Sequence, residues 1–124
     1  EFVAFDNGEL AGHIAYSRLD ARAGSLALRA VALAPLAVAP AHQRRGIGAS
    51  LIEDSLAHLR TAGEELAVVL GHPAYYSRFG FSSLLAKLLE APYSGEAFLA
   101  QELKPDALAG FKWKLAYPRA FSSP

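Results

Sequence analysis

The residues most able to do chemistry lie in one short stretch, Gln43-Arg44-Arg45-Gly46-Ile47-Gly48. It holds two glycines one residue apart and two arginines, and it precedes a segment whose apolar residues recur at helical spacing. The free N–H groups and the dipole of a helix N-terminus attract anions, and glycines let the backbone approach a ligand closely. The stretch therefore predicts an anion-binding turn at the start of a helix. Glycines that serve only the turn itself are the simpler alternative.

Two apolar runs and an amphipathic helix must position this turn. Leu33 to Val38 has the length of a buried strand, and Ala39-Pro40 favours a turn directly after it. Leu66 to Leu70 is a second continuous apolar run, so strand, helix and strand imply a right-handed crossover between parallel strands. The helix between them is predicted to end at Gly63. Its buried face is formed by Ile47, Leu51, Ile52, Leu56 and Leu59.

The turn can be compared with two known glycine-rich loops that bind nucleotides. A Walker A loop needs Gly-Lys followed by Ser or Thr, which does not occur in the chain. A Rossmann fingerprint needs a third glycine, which this stretch lacks. Both nucleotide-binding motifs are therefore disfavoured.

The stretch does resemble motif A of the GNAT superfamily of acetyl-CoA-dependent N-acetyltransferases, which reads Gln/Arg-x-x-Gly-x-Gly/Ala between a strand and a long helix. The segment Pro73 to Phe81 resembles the Tyr-x-x-x-Gly-Phe block that follows the next strand in that superfamily. The amino-acid sequences of both blocks are similar to those of the YhbS-like subgroup of predicted bacterial acetyltransferases. The resemblance is sharp from about Leu33 to Phe81.

The resemblance implies a single α/β domain over residues 1–124, with a mixed sheet and the motif A helix on one face. Phe2 to Phe5 and Leu10 to Leu19 read as a hairpin around the turn Asp6 to Glu9. In the family these are the second and third strands. We therefore expect an N-terminally incomplete fragment that lacks the first strand and first two helices, which usually form one wall of the acceptor site.

The resemblance also implies how acetyl-CoA binds. Backbone N–H groups from Arg45 to Ala49 take the pyrophosphate, and the N–H of Leu36 polarises the thioester carbonyl. Val38 pairs with the pantetheine arm along a strand edge that is free if the crossover strands splay apart after Leu36. Either Arg44 or Arg45 meets phosphate or is simply solvated. The predicted cofactor-binding residues are Leu36, Ala37, Val38, Gln43, Arg44, Arg45, Gly46, Ile47, Gly48 and Ala49.

Two residues are predicted to be catalytic, Tyr76 and Leu36. By resemblance Tyr76 is the general acid that protonates the departing thiolate, whereas Tyr75 is expected to pack. A tyrosine with an unperturbed pKa of about 10 is protonated at neutral pH. The general base is not assigned: Leu33 to Val38 contains no acidic residue, so His72 or a water chain is left, with a loop histidine of no role as the simpler reading of His72. A structural role is expected for His13.

The remaining predictions concern elements away from the site. Leu26 to Val38 carries the central strand, with a bulge or turn near Arg29. Polar connections are expected at Asp20 to Ser25 and at Glu64-Glu65, and a loop or short helix at Ser82 to Ala91. Two further strands are expected at Ala97 to Leu103 and at Gly110 to Tyr117, the latter ended by Pro118.

Composition excludes several classes of function. The 12 basic and 12 acidic side chains give zero formal net charge, so nucleic acid and anionic membranes are not expected partners. Cysteine is absent, which excludes disulfides and thiolate metal sites and suits a cytoplasmic location. No metal site is predicted.

The predicted function is transfer of an acetyl group from acetyl-CoA to a primary amine by direct attack on the thioester. A domain that binds acyl-CoA without turnover, as a sensor or as a partner in a larger assembly, is the alternative. A third hypothesis is that the glycine turn binds a nucleotide. It predicts that the chain binds ATP or NAD with an affinity comparable to that for CoA. The expected partner is a small-molecule or peptide amine, and a homodimer is left open.

Overall fold

The computed structural model describes residues 1–92 and 95–116, and within them the chain forms one mixed sheet with helices on its faces. The strands are β1 Phe2–Asp6, β2 Glu9–Ala23, β3 Leu26–Val38, β4 Leu66–Leu70, β5 Leu89–Glu90, β6 Phe98–Glu102 and β7 Trp113–Ala116. The helices are α1 Ile47–Thr61, α2 Pro73–Tyr76 and α3 Ser83–Ala86, with 3-10 turns at Pro40–His42 and Ser77–Phe79. The sheet order is β5-β7-β2-β3-β4-β6, and β1 pairs with β2.

The predicted hairpin and crossover are confirmed. β1 and β2 are antiparallel, and α1 connects the parallel strands β3 and β4. The polar connection predicted at Asp20 to Ser25 is wrong over most of its length, because β2 continues through Ala23 and pairs with β7. Asp20 and Arg22 point to solvent, whereas Ala21 between them is buried. A strand with one solvated face places polar residues at every second position.

β3 contains a β-bulge at Ala34 and Pro35. Ile14 of β2 pairs with Leu36 and Tyr16 pairs with Leu33, so the two bulged residues oppose a single residue of β2. The bulge or turn predicted near Arg29 is therefore wrong, since Leu26–Val38 runs as one strand with its irregularity further on.

The parallel pairing of β3 with β4 stops at the same place. Its last pair joins Leu33 to Val69, so β3 continues for several residues without β4 beside it. The prediction that the two strands part after Leu36 is wrong by three residues. The bulge interrupts the regular spacing of β3, and regular pairing needs that spacing.

Apolar clusters cover both faces of the sheet, and α1 lies on one of them. Leu51, Ile52 and Leu56 are the buried apolar residues of α1, which confirms the helical face expected from their spacing. On that face they meet Ile14, Val31, Leu33, Ala67, Val69, Phe81, Leu99 and Leu103. The opposite face is covered by α3 and by the segments around β5 and β7, through Ala86, Leu89, Leu108, Trp113 and Leu115.

The short helix and the two strands predicted after residue 81 are present with shorter bounds, whereas the strand β5 was not predicted. Residues 82–91 form α3 and β5, and the hydroxyl of Ser82 caps α3 by accepting a 3.1 Å hydrogen bond from the N–H of Leu85. The last two predicted strands correspond to β6 and β7; Tyr117 and Pro118 lie outside the described residues. Among the described residues, no helix has the length and apolar character needed to span a membrane.

Glu64 follows α1 and is buried, with 5% of its side chain exposed. Its carboxylate accepts two hydrogen bonds from Arg18 of β2, at 2.5 and 2.7 Å, and one from Arg29 of β3 at 2.8 Å. These contacts, that of Arg18 first, lower the pKa of Glu64 below its usual value of 4.5. The linker predicted at Glu64-Glu65 is confirmed, since both residues lie between α1 and β4. The burial of Glu64, which ties the end of α1 to the sheet, was not predicted.

We expect Glu64→Gln to lower the free energy of unfolding by about 2 kcal/mol at pH 7, because a neutral amide leaves two arginines with a weaker partner. A carboxylate whose pKa is lowered by folding stabilises the protein above its unfolded pKa and loses that effect as the pH falls through its folded pKa. The difference between variant and parent should therefore shrink as the pH falls from 7 to below 4. Urea unfolding measures it, with exposed Glu53→Gln as the matched control; equal losses in both variants would contradict the role of Glu64.

Candidate cofactor and active site

The chain turns sharply between β3 and α1. Gly46 has a φ of 76° and stands at the N-cap of α1, where a left-handed backbone suits glycine. Arg44 also has a positive φ, 67°, which is uncommon for a residue with a Cβ. The two left-handed residues turn the chain back so that the start of α1 lies beside the end of β3.

The first turn of α1 presents free backbone donors. The N–H of Ser50 is the first to be satisfied by the helix, with the carbonyl of Gly46 at 3.0 Å. Among the described residues, no acceptor bonds to the N–H groups of Ile47, Gly48 and Ala49, and no side chain caps the helix. These donors and the helix dipole make the turn suited to an anion.

An open pocket of about 330 Å³ lies over this helix start. Its walls come from the end of β3, from the turn and first residues of α1, and from the segment after β4. It is lined by Val38, Gln43, Arg44, Gly46, Ile47, Gly48, Ala49, Tyr75 and Arg78. The fold thus brings the two sequence blocks together at one pocket.

Three of the predicted cofactor residues lie outside the lining of this pocket. Leu36 packs against the apolar cluster under α1, and Ala37 lies between Leu36 and Val38 on exposed strand. Arg45 extends away, because its guanidinium donates a 2.8 Å hydrogen bond to the carboxylate of Asp6. The structure therefore places Arg44, and not the side chain of Arg45, at the pocket.

The end of β3 offers a free strand edge. The N–H of Ala39 donates to the carbonyl of Ala11 in β2 at 2.7 Å. Backbone groups of successive strand residues point to opposite sides, so those of Val38 face away from β2, where β4 has already ended. The side-chain amide of Gln43 donates to the Val38 carbonyl at 3.2 Å. This carbonyl is thus accessible to an amide donor.

Two pocket residues were missed by the sequence reasoning. Tyr75 packs edge-on against its aromatic neighbours, as expected, but its hydroxyl also lies 3.0 Å from the position that a Cβ on Gly48 would take. The guanidinium of Arg78 lies 5.4 Å from the ring centroid of Tyr75. Their spacing of three residues in a helical segment, which places both on one side, was the available signal.

Tyr76 lies beside the end of β4, where β3 and β4 have parted. Its ring packs edge-on against Phe81, with centroids 5.9 Å apart, and against Gly71 so closely that a Cβ there would lie 2.3 Å from a ring carbon. Burial, and secondarily the neighbouring Tyr75, raises the pKa of Tyr76. Its phenol is therefore protonated at neutral pH, as a general acid must be.

A second tyrosine shares this environment. The hydroxyl of Tyr16 is 2.9 Å from that of Ser55 in α1. Ser55 in turn donates to the carbonyl of Ile52 at 3.1 Å, so the phenol of Tyr16 donates to Ser55. Burial raises the pKa of Tyr16, the bond to Ser55 opposes that shift, and the proximity of Tyr76 adds to it. Both phenols beneath α1 thus favour the neutral form.

Neither His72, the candidate base, nor His13 lines the pocket. His72 is exposed and precedes α2, and its backbone carbonyl accepts hydrogen bonds from the N–H groups of Tyr75 and Tyr76 at 3.1 Å. His13 of β2 lies 3.8 Å from the carboxylate of Glu1. The identity of the general base, His72 or a chain of waters, stays a prediction.

The chain resembles known proteins over most of its length. At 34% identity over 119 residues, it matches the uncharacterised N-acetyltransferase YhbS of Escherichia coli K12, covering 94% of this chain and 70% of that protein. The crystal structure of E. coli YhbS in complex with CoA superposes with a TM-score of 0.84 at 34% identity, over 97% of this chain and 67% of that one.

A second crystal structure gives the same fold. It is a GNAT family acetyltransferase from Brucella melitensis in complex with acetyl-CoA, with a TM-score of 0.72 at 35% identity, over 96% of this chain and 66% of that one. The family model for the acetyltransferase (GNAT) domain matches residues 2–84. The chain belongs to the GNAT family of N-acetyltransferases.

Proposed function

We propose that this chain binds acetyl-CoA in the pocket between β3, α1 and the segment after β4, and transfers the acetyl group to a primary amine. The observation that carries the proposal is the junction of three features: free N–H donors at the start of α1, a free edge at the end of β3, and Tyr75 and Arg78 from the segment after β4. Tyr76 lies outside the pocket lining and packs beside the end of β4. Structures of related proteins with CoA and with acetyl-CoA support it.

The pyrophosphate of the cofactor lies on the first turn of α1. Its oxygens accept hydrogen bonds from the N–H groups of Ile47, Gly48 and Ala49, and Gly46 and Gly48 keep Cβ atoms out of its way. Arg44 lines the same pocket and adds a positive charge at its rim. Oriented backbone amides lose no side-chain entropy when they bind, so they suit the principal contact.

The pantetheine arm extends along the free edge of β3. An amide N–H of the arm donates a hydrogen bond to the Val38 carbonyl, and it replaces the side-chain amide of Gln43 as the donor there. The thioester then lies near the bulge, and the N–H of Leu36 polarises its carbonyl. Oxyanion donors of this kind contribute about 3 kcal/mol in other enzymes.

The amine attacks the thioester carbon, and the tetrahedral intermediate collapses with release of CoA as a thiolate. The phenol of Tyr76 donates a proton to that sulfur. The proton on the incoming amine leaves through His72 or a chain of waters. After collapse the acylated nitrogen gives up its second proton, which returns to the Tyr76 phenolate, so the products are the amide, the CoA thiol and one proton.

A domain that binds acyl-CoA without turnover is the second candidate. It is favoured by the absence of an acidic residue from Leu33 to Val38 and by the position of His72 outside the pocket lining. An amine at neutral pH is mostly protonated, so a site without a base turns over slowly.

Calorimetric titration of the purified chain with acetyl-CoA tests the proposal. We expect micromolar affinity for acetyl-CoA, with competition by CoA and by dephospho-CoA and none at equal concentration by ATP, which lacks the pantetheine arm. Equal competition by ATP would instead favour a nucleotide site. Thiol release with a panel of primary amines then separates the enzyme from the binding domain.

A further inference from the structure

We propose that Asp6 is a positioning residue of this site: it holds the turn between β3 and α1 in the shape that presents Arg44 to the cofactor. The inference rests on the proposed function, because the ligand of the turn is the pyrophosphate of CoA. Asp6 is the last residue of β1 and lies outside both sequence blocks that define the site.

One oxygen of the Asp6 carboxylate bonds to both sides of Arg44. Nδ1 of His42 lies 2.9 Å from Oδ2, and a guanidinium nitrogen of Arg45 lies 2.8 Å from the same atom. The side chain of His42 is 11% exposed, so this end of the contact is fixed in the protein interior. The carboxylate therefore holds the residues that flank Arg44 in the turn.

The turn has few other restraints. The backbone N–H groups of His42 and Gln43 donate to the 3-10 turn before them. Among the described residues, no backbone hydrogen bond then holds the chain until the carbonyl of Gly46 accepts from Ser50. Arg44, with its positive φ, lies in this gap. The side chain of Gln43 ties the loop to the end of β3 through its 3.2 Å hydrogen bond to the Val38 carbonyl, and the Asp6 contacts tie it to β1.

The same contacts determine which arginine of the turn keeps an unpaired positive charge. Hydrogen bonds from His42 and Arg45 lower the pKa of Asp6, so its carboxylate is ionised at neutral pH and offsets the charge of Arg45. Arg44 and Arg78 are left as the guanidinium groups that line the pocket. Without Asp6 the turn loses its tether to β1, and Arg44 is no longer held at the pocket.

A double-mutant cycle between Asp6→Asn and Arg44→Gln tests the inference, with the Kd for CoA measured by calorimetry. Asp6→Asn preserves side-chain size, and Arg44→Gln removes the guanidinium charge but keeps a polar side chain. We expect each single variant to bind CoA about tenfold more weakly, and Arg44→Gln to weaken binding by less than about threefold when Asp6 is already asparagine. A merely structural role for Asp6 would leave the cost of Arg44→Gln equal in both backgrounds.

Further variants keep the outcomes separate. Arg45→Gln leaves the contact between Asp6 and His42 in place, and it should weaken CoA binding in the parent but not beside Asp6→Asn. Glu64→Gln, which loosens the far end of α1, should leave the Kd for CoA unchanged. CoA binding by Asp6→Asn at the parental Kd overturns this inference alone, and failure of the unmodified chain to bind CoA overturns it together with the proposed function.

Discussion

Replacement of Gly48 by glutamate is expected to abolish CoA binding, with a loss of affinity above about 100-fold, or roughly 3 kcal/mol. A Cβ at this position would lie 3.0 Å from the Tyr75 hydroxyl and 3.6 Å from a methyl group of Val38, so the side chain must enter the pocket. Its carboxylate would then occupy the position of the pyrophosphate. The helix itself should persist, because an acidic residue in the first turn is favourable.

Two further variants distinguish the steric effect of the Gly48→Glu side chain on CoA binding from the effect of its charge. Gly48→Ala adds only the methyl group and should weaken binding moderately. Ser50→Glu places the same charge two residues further on, at an exposed position outside the pocket lining, and should retain most of the affinity. Calorimetry with CoA measures all three variants. Parental affinity in Gly48→Glu would remove this turn from the binding site.

Replacement of Tyr76 by phenylalanine is expected to lower turnover at pH 7 by about 100-fold, the lower end of what a general acid contributes. The ring that packs against Gly71 and Phe81 is retained, so the affinity for acetyl-CoA should stay within about twofold of the parent. Thiol release with an amine that the parent accepts gives the rate. Calorimetry gives the affinity.

Tyr75→Phe is the matched control for Tyr76. It removes the hydroxyl that lies beside Gly48, so it should alter acetyl-CoA affinity more than turnover.

Because burial raises the pKa of Tyr76, the parent should keep its proton donor up to pH values above the usual tyrosine range near 10. A Tyr76→Phe variant with the parental rate would assign proton donation to another group.

The sequence predicted the local parts of the site well, because a turn and a helix start depend on neighbouring residues. Gly46 and Gly48 lie where the spacing placed them, at the first turn of α1. The choice between Arg44 and Arg45 was not predictable, since it depends on Asp6, 39 residues before Arg45. The burial of Glu64 depends in the same way on two arginines in distant strands.

Strand lengths and the point where strands part were less predictable. Asp20 and Arg22 are typical of a loop when read locally, but they lie in a strand because β7 pairs beside them. Nothing in the alternation of Leu33 to Val38 marks where β4 stops. That depends on the bulge and on the register of a strand more than 30 residues away.

The bulge in β3 changes the phase of the pleat. Before it, odd-numbered residues such as Leu33 face α1; after it, even-numbered ones such as Leu36 do. If the same residues formed an uninterrupted pleat without the bulge, Leu36 and Val38 would turn to the opposite face and Ala37 would lie beneath the helix. The bulge at Ala34 and Pro35 therefore determines which side chains of the end of β3 reach the pocket.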